Sequence, residues 1–151
     1  MATVKQLVGA RNSLPFTGTG LSTLASATYV ENTTAYNCVT NQPLDVIVEV
    51  DVGTTNTPTG NKQVVVFIAE SLDGTNFRSG PTSGTTTSNE PNLKFLGTVP
   101  MNIAGSQIGQ FSIAAALGYV PAAFFIIIKN DLGVALTSGT VFTAEISSTV
   151  I

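Results

Sequence analysis

The sequence predicts an all-β protein: an antiparallel two-sheet sandwich, jelly-roll or immunoglobulin-like, with an extended N-terminal arm. Three observations carry this expectation. Residues 124–128, Phe-Phe-Ile-Ile-Ile, are apolar at every position, with Pro121 before them and Asn130-Asp131-Leu132-Gly133 after them. A continuous run of aromatic and β-branched residues between turn signals reads as a strand buried on both faces. Leu44 to Val52 and Val141 to Val150 each alternate with period two, the pattern of a half-buried strand. Turn residues punctuate the chain throughout and no convincing amphipathic helix appears, which favours a sandwich, with a closed barrel as the alternative.

Residues 1–20 contain Val4, Leu7, Val8, Leu14 and Phe16 at irregular spacing, interrupted by Gly9, Pro15, Gly18 and Gly20. Such interruptions read as an extended arm. Its apolar side chains need cover, and the expectation is that these five residues find it on a neighbouring subunit. The remaining chain, 21–151, reads as one sandwich domain. Short strands are expected near 26–30 and 35–40. In 44–52, Leu44, Val46, Val48, Val50 and Val52 form the core face, with Asp45, Ile47, Glu49 and Asp51 opposite. Residues 53–60 read as a flexible surface loop. Residues 63–70, QVVVFIAE, form the next strand, and Asp73-Gly74 a tight turn. Residues 79–91 are rich in Gly, Ser, Thr and Pro and read as a long exposed loop.

Strands follow at 93–101, with Gly97 at a bulge, and at 109–113. Residues 114–118 suit one helical turn stopped by Gly118. The central strand comes next. In the last strand, Phe142, Ala144, Ile146, Ser148 and Val150 share one face. The expected core is Phe124–Ile128 with Val46, Val48, Val64, Val66, Phe142 and Ile146.

A length of 151 residues suits a single domain. Charged residues make up only 10% of the chain, against about 25% ordinarily. Such a surface fits a protein that lies against other subunits, or a small sandwich with polar uncharged faces. Lys5, Arg11, Lys62, Arg78, Lys94 and Lys129 are scattered singly and the net charge is −3, which argues against nucleic-acid binding. There is no His and no Trp, so the commonest general base and metal ligand is missing. No signal-peptide pattern is seen, and no apolar run approaches the about 20 residues of a membrane helix. Cys38 reads as a small hydrophobe made in a reducing cytoplasm, and the sequon Asn32-Thr33-Thr34 as chance.

Candidate chemical sites are few. Asp45, Glu49 and Asp51 share a strand face suited to a hard cation, or simply to solvent and to discouraging edge pairing. Asn130-Asp131 resembles half of a cation loop, and is also what a turn requires. Glu70 and Asp73 are a formal carboxylate pair, but nothing in the sequence places a cleft between them. No Ser-x-x-Lys and no phosphate-cradling glycine motif occurs. No catalytic residue, cofactor or metal is expected.

Residues 67–77, FIAESLDGTNF, resemble a strand and S-x-DG-T-N-F/Y segment of small β-sandwich virion proteins of tailed bacteriophages. Residues 119–133, YVPAAFFIIIKNDLG, resemble the P-A-x, apolar strand and K-N-D/N-x-G segment of the same proteins. Together the similarity spans residues 64–77 and 119–136. It implies a non-enzymatic structural part of a phage particle, and for this size a capsid decoration or cement protein. Such a protein is made in the host cytoplasm and sits on the capsid exterior, bracing major capsid subunits, often as a homotrimer. The alternative is a receptor- or carbohydrate-binding module of a tail fibre, or another tail or neck protein. In the binding-module case the site would lie in loops 53–60 or 79–91, although neither contains an aromatic residue.

Overall fold

The apolar run at 124–128 lies in the middle of a sheet. A computed structural model describes residues 3–16 and 20–150, apart from the side chain of Val150. The expected arm therefore extends beyond the described residues at 1–2 and 17–19. In chain order the strands are β1 (Val4–Val8), β2 (Asn12–Ser13), β3 (Tyr29–Glu31), β4 (Tyr36–Asn37), β5 (Asp45–Thr54), β6 (Gln63–Ser71), β7 (Ser83–Gly84), β8 (Lys94–Pro100), β9 (Gly105–Ser112), β10 (Ala123–Asn130) and β11 (Ser138–Val150), with a short helix α1 (Ile113–Leu117) before β10. All pairings among them are antiparallel. One sheet has the order β1-β11-β5-β9, with β2 also on β11. The other has the order β7-β3-β10-β6-β8, with β4 also on β10. The two-sheet antiparallel class expected from the sequence is the observed one.

The main core lies between the sheets. Val46, Val48, Val50 and Val52 of β5 face Val64, Val66 and Ile68 of β6 and Phe124, Ile126 and Ile128 of β10 across this layer, all fully buried. Leu44 precedes β5 and is half exposed, so the alternation enters the core only at Val46. The opposite faces of β6 and β10 are buried too. Val65, Phe67, Ala69 and Ile127 form a second apolar cluster with Tyr29 and Leu93. This explains why both strands read as continuous apolar runs.

The segment after β6 covers the second cluster. Phe77 packs edge-on against Phe125, with ring centroids 4.8 Å apart. β7 pairs with β3. Glu90 accepts hydrogen bonds from the Tyr29 hydroxyl and, at 2.9 Å, from Lys129 Nζ. The polar run 79–91 is thus largely exposed but tethered at both ends of its length.

Local chemistry sets the boundaries. Ser112 caps α1 by accepting from Ala115 N at 2.9 Å, and Gly118 stops it at φ 83°, as a left-handed residue does. The β6–β8 register shifts between Val66 and Phe67, opposite Leu96 and Gly97, where the sequence suggests a bulge. The loop at 53–60 is less free than its composition suggests. Thr59 N and Gly60 N both donate to Leu132 O, at 2.9 and 2.7 Å. A Cβ on Gly60 would lie 2.7 Å from Gly133 N, so the close approach of these two turns requires glycine.

Two expectations need correction. The first concerns the arm. β1 and β2 are strands of the first sheet, paired with β11. Leu14 is buried in the main core, and Phe16 packs against that core while bridging to Asn32. Their irregular spacing hid a two-residue strand followed by a descent into the core. Leu14 N donates to Val141 O at 2.8 Å. Leu14 and Phe16 are therefore covered by their own domain, and a cut at residue 20 would remove core.

The second concerns Phe142 and Ile146, which lie outside the core. β11 pairs with β5 so that Val141 lies opposite Val50 and Thr143 opposite Val48. Directly paired residues share a sheet face, so Val141 and Thr143 point inward. Phe142, Ala144 and Ile146 point outward with Glu49, Ile47 and Asp45. The inward polar groups are matched. Tyr36, stacked on Phe124 at 5.1 Å, donates its hydroxyl to Glu145 at 2.8 Å, and Asn41 Nδ2 donates to the same carboxylate at 2.9 Å. Burial, and then the Glu145 carboxylate, push the Tyr36 phenol up to about 12.

Candidate functional site

The outward face of the first sheet is polar along much of β5 and β9, but a strip along β11 and β1 is apolar where a solvated face would be polar. On β11 it presents Phe142, Ala144 and Ile146, on β5 Ile47, and on β1 Val8, which pairs with Ile146. These residues, with Gly9, Arg11, Glu49 and Gln110, line a shallow groove of about 320 Å³. Arg11 lies over the Phe142 ring, 3.3 Å from its centroid, and donates from Nε to Glu49 at 2.9 Å. Gln110 Nε2 donates to the other Glu49 oxygen at 2.7 Å.

β1 extends this face past the sandwich. Its partners, Ile146 to Val150, lie at and beyond the end of the β5 pairing, so the two segments form a two-stranded ribbon. Val4 is 64% exposed and Val8 73%, and Leu7, on the opposite face, is 48% exposed. Apolar side chains thus stand in solvent on both faces of the ribbon. Among the described residues β1 pairs only with β11, which leaves its outer edge free. An edge strand with one charge, Lys5, and three exposed apolar residues lacks the usual protections against pairing with another chain.

The five residues expected to contact a partner therefore separate. Val4, Leu7 and Val8 lie on the exposed ribbon, while Leu14 and Phe16 pack within the domain. Sequence reasoning missed Phe142, Ala144 and Ile146 as surface residues, because alternation marks two faces without saying which is inside.

The acidic face of β5 has partners of its own. Asp45 accepts from Ser112 Oγ at 2.6 Å and from Ala114 N at 2.8 Å, fixing the start of α1. Gln110 first, and Arg11 next, hold the Glu49 carboxylate below its ordinary value of 4.5. No cluster of three or more His, Cys, Asp or Glu side chains suited to a metal occurs among the described residues. Asp73 is a turn residue: the N–H groups of Asn76 and Thr75 donate to it at 2.8 Å each, and they hold its carboxylate well below the usual range. Burial pushes the Cys38 thiol up to about 11, which keeps it protonated and unreactive at neutral pH. Asn32 of the sequon is buried, with its Oδ1 accepting from Ile126 N at 2.6 Å. Among the described residues no helix is long and apolar enough to cross a membrane.

The Glu49 cluster predicts a pH dependence. Its folded pKa is depressed, so its contribution is complete above pH 4.5 and is lost as pH falls through the lower folded value. Glu49→Gln is expected to flatten the acid limb of stability measured by urea unfolding across that window. An unchanged limb would show that the cluster contributes nothing to acid sensitivity.

No family model matches the chain, and no curated protein matches it.

Proposed function

We propose that this chain is a non-enzymatic structural subunit of a tailed-phage particle. It acts as a capsid decoration or cement protein on the capsid exterior, associates with copies of itself, with a trimer favoured, and braces major capsid subunits. The observation that carries the assembly part is the outward apolar face of β11, continued by the β1 ribbon with Val4, Leu7 and Val8 in solvent. Exposing so much apolar surface is unfavourable unless a partner covers it, and each side chain of this kind contributes about 1.5–3 kcal/mol when fully buried. The resemblance of residues 64–77 and 119–136 to phage virion proteins supports the particle assignment. The doubly buried β6 and β10 supply the rigidity that a brace needs.

The test uses the full chain and a Val4→Glu/Val8→Glu variant. Both positions are exposed, so circular dichroism and the unfolding midpoint are expected to stay near those of the parent. Light scattering should show an oligomer that falls to monomer in the variant. Undecorated heads of the phage that encodes the chain should bind the parent and lose at least about tenfold in affinity for the variant, the equivalent of about 1.4 kcal/mol. A parent that is monomeric and does not bind heads would overturn the proposal, as would a variant that assembles and binds like the parent.

A further inference from the structure

The edges of the two sheets are not protected alike. The second sheet ends on one side in β7, only two residues long, and on the other in β8. β8 carries Lys94 and Pro100, and its register on β6 shifts between Val66 and Phe67. Short strands, Lys, Pro and bulges keep an edge from pairing with another chain. The first sheet ends in β9 on one side and in β1, with the two-residue β2 beside it, on the other. β9 runs for eight residues, GSQIGQFS, with no charge, no proline and an unbroken register on β5. It is exposed or partly exposed along its whole length, Ile108 at 60%. Among the described residues it pairs only with β5. β1 is exposed at all five residues and has Lys5 as its single charge. One sheet is thus closed off at both edges, and the other is open at both.

The two open edges match each other. The path β1-β11-β5-β9 has four strands, each antiparallel to the next, so β1 and β9 run in opposite directions. Rotation about an axis parallel to the strands preserves those directions. β9 of one copy then meets β1 of the next antiparallel, as in every pairing inside the sheet. The outward side chains agree with such a junction. Ile108 and Gln110 of β9 pair with Asp51 and Glu49 and so point outward, as do Val4, Gln6 and Val8 of β1. Both rows mix apolar and amide side chains and bring no charge to the junction. A two-fold axis that paired β1 with β1 would leave β9 open in both copies. A head-to-tail junction uses both edges of every copy, and a closed ring leaves neither exposed.

We propose that copies of this chain join head to tail by strand addition, the outer edge of β1 in one copy pairing antiparallel with the outer edge of β9 in the next, and that a closed ring of these junctions is the homo-oligomer. The inference rests on the assembly reading and names its interface. Backbone hydrogen bonds between two edges join the copies, and the apolar strip on β11 and β1 lies beside that junction.

The test uses two variants of the full chain, each with Lys on one open edge. Ile108→Lys blocks β9 and places the new charge opposite Asp51. Val4→Lys/Val8→Lys blocks β1. All three positions are exposed, so circular dichroism should match the parent. Light scattering is expected to show an oligomeric parent and two monomeric variants. Each variant keeps one open edge, so a 1:1 mixture should form a dimer of one copy of each and stop there. Hydrogen exchange gives a second readout that does not need Ile108→Lys to fold. Amides in 105–112 should exchange at least about tenfold more slowly in the parent than in monomeric Val4→Lys/Val8→Lys. Ile108→Lys that assembles like the parent, a mixture that stays monomeric, or equal exchange in 105–112 would overturn the edge pairing. With an oligomeric parent, each of these results leaves the assembly reading standing. A parent that is monomeric at every concentration overturns the edge pairing as well, and head binding then decides the assembly reading by itself.

Discussion

Asn130→Ala is expected to destabilise the protein by about 3–5 kcal/mol, which is a large fraction of the about 5–15 kcal/mol that holds a typical domain. Asn130 is completely buried at the end of β10. Its Nδ2 donates to Leu24 O and to Val134 O, each at 2.8 Å, and its Oδ1 accepts from Leu132 N at 3.0 Å. Its backbone is engaged as well: the N–H donates to Thr28 O at 3.0 Å and the carbonyl accepts from Ala27 N at 2.7 Å. One side chain thus ties the segment before β3 to the turn after β10. Truncation leaves Val134 O and Leu132 N without these partners, while Leu24 O keeps its bond from Leu136 N at 3.0 Å, and each group left unmatched away from water costs about 1–3 kcal/mol. Asn130→Asp keeps the shape and the acceptor but aims a carboxylate at two carbonyl oxygens, and should cost at least as much. Urea unfolding of both variants gives the answer. A loss below about 1 kcal/mol would mean that solvent reaches these groups and that the anchor is not needed.

The sequence announced a turn at Asn130-Asp131-Leu132-Gly133, and the turn is there. It could not announce the anchoring, because Leu24 lies in a stretch with no periodicity of its own and is brought to Asn130 by the fold. The same division runs through the rest of the molecule. The strands β5, β6 and β10 were legible because burial on one or both faces writes itself directly into the residue pattern. The side of β11 that faces the core was not legible. Phe142, Ala144 and Ile146 make the more apolar row, but the register with β5 and the Tyr36–Glu145 hydrogen bond turn the other row inward. Leu14 and Phe16 were read as arm because a two-residue strand leaves no period to detect.

Phe124→Ala is expected to cost about 3–5 kcal/mol, while Phe125→Ala, one residue along the same strand, should cost clearly less. The two rings point to opposite faces of β10. Phe124 is fully buried in the interlayer core and stacks on Tyr36. Tyr36 reaches across to Glu145 on β11, so Phe124 also steadies a hydrogen bond that joins the two sheets. Its removal creates a cavity that the surrounding β-branched side chains, Ile126 and Val46 among them, cannot collapse into without leaving their rotamers. Phe125 lies on the outer face of the second sheet, only partly buried, against Phe77 in the turn that follows β6. That turn can move inward to close the gap. Unfolding midpoints and m-values of the two variants separate the cases, since an equal loss would mean that the outer cluster is packed as rigidly as the interlayer core. If Phe125→Ala proves mild, its shift spectrum should still change around Phe77 and Arg78. Packing on the outer face would then be what holds the segment after β6 in place, while the interlayer core holds the fold.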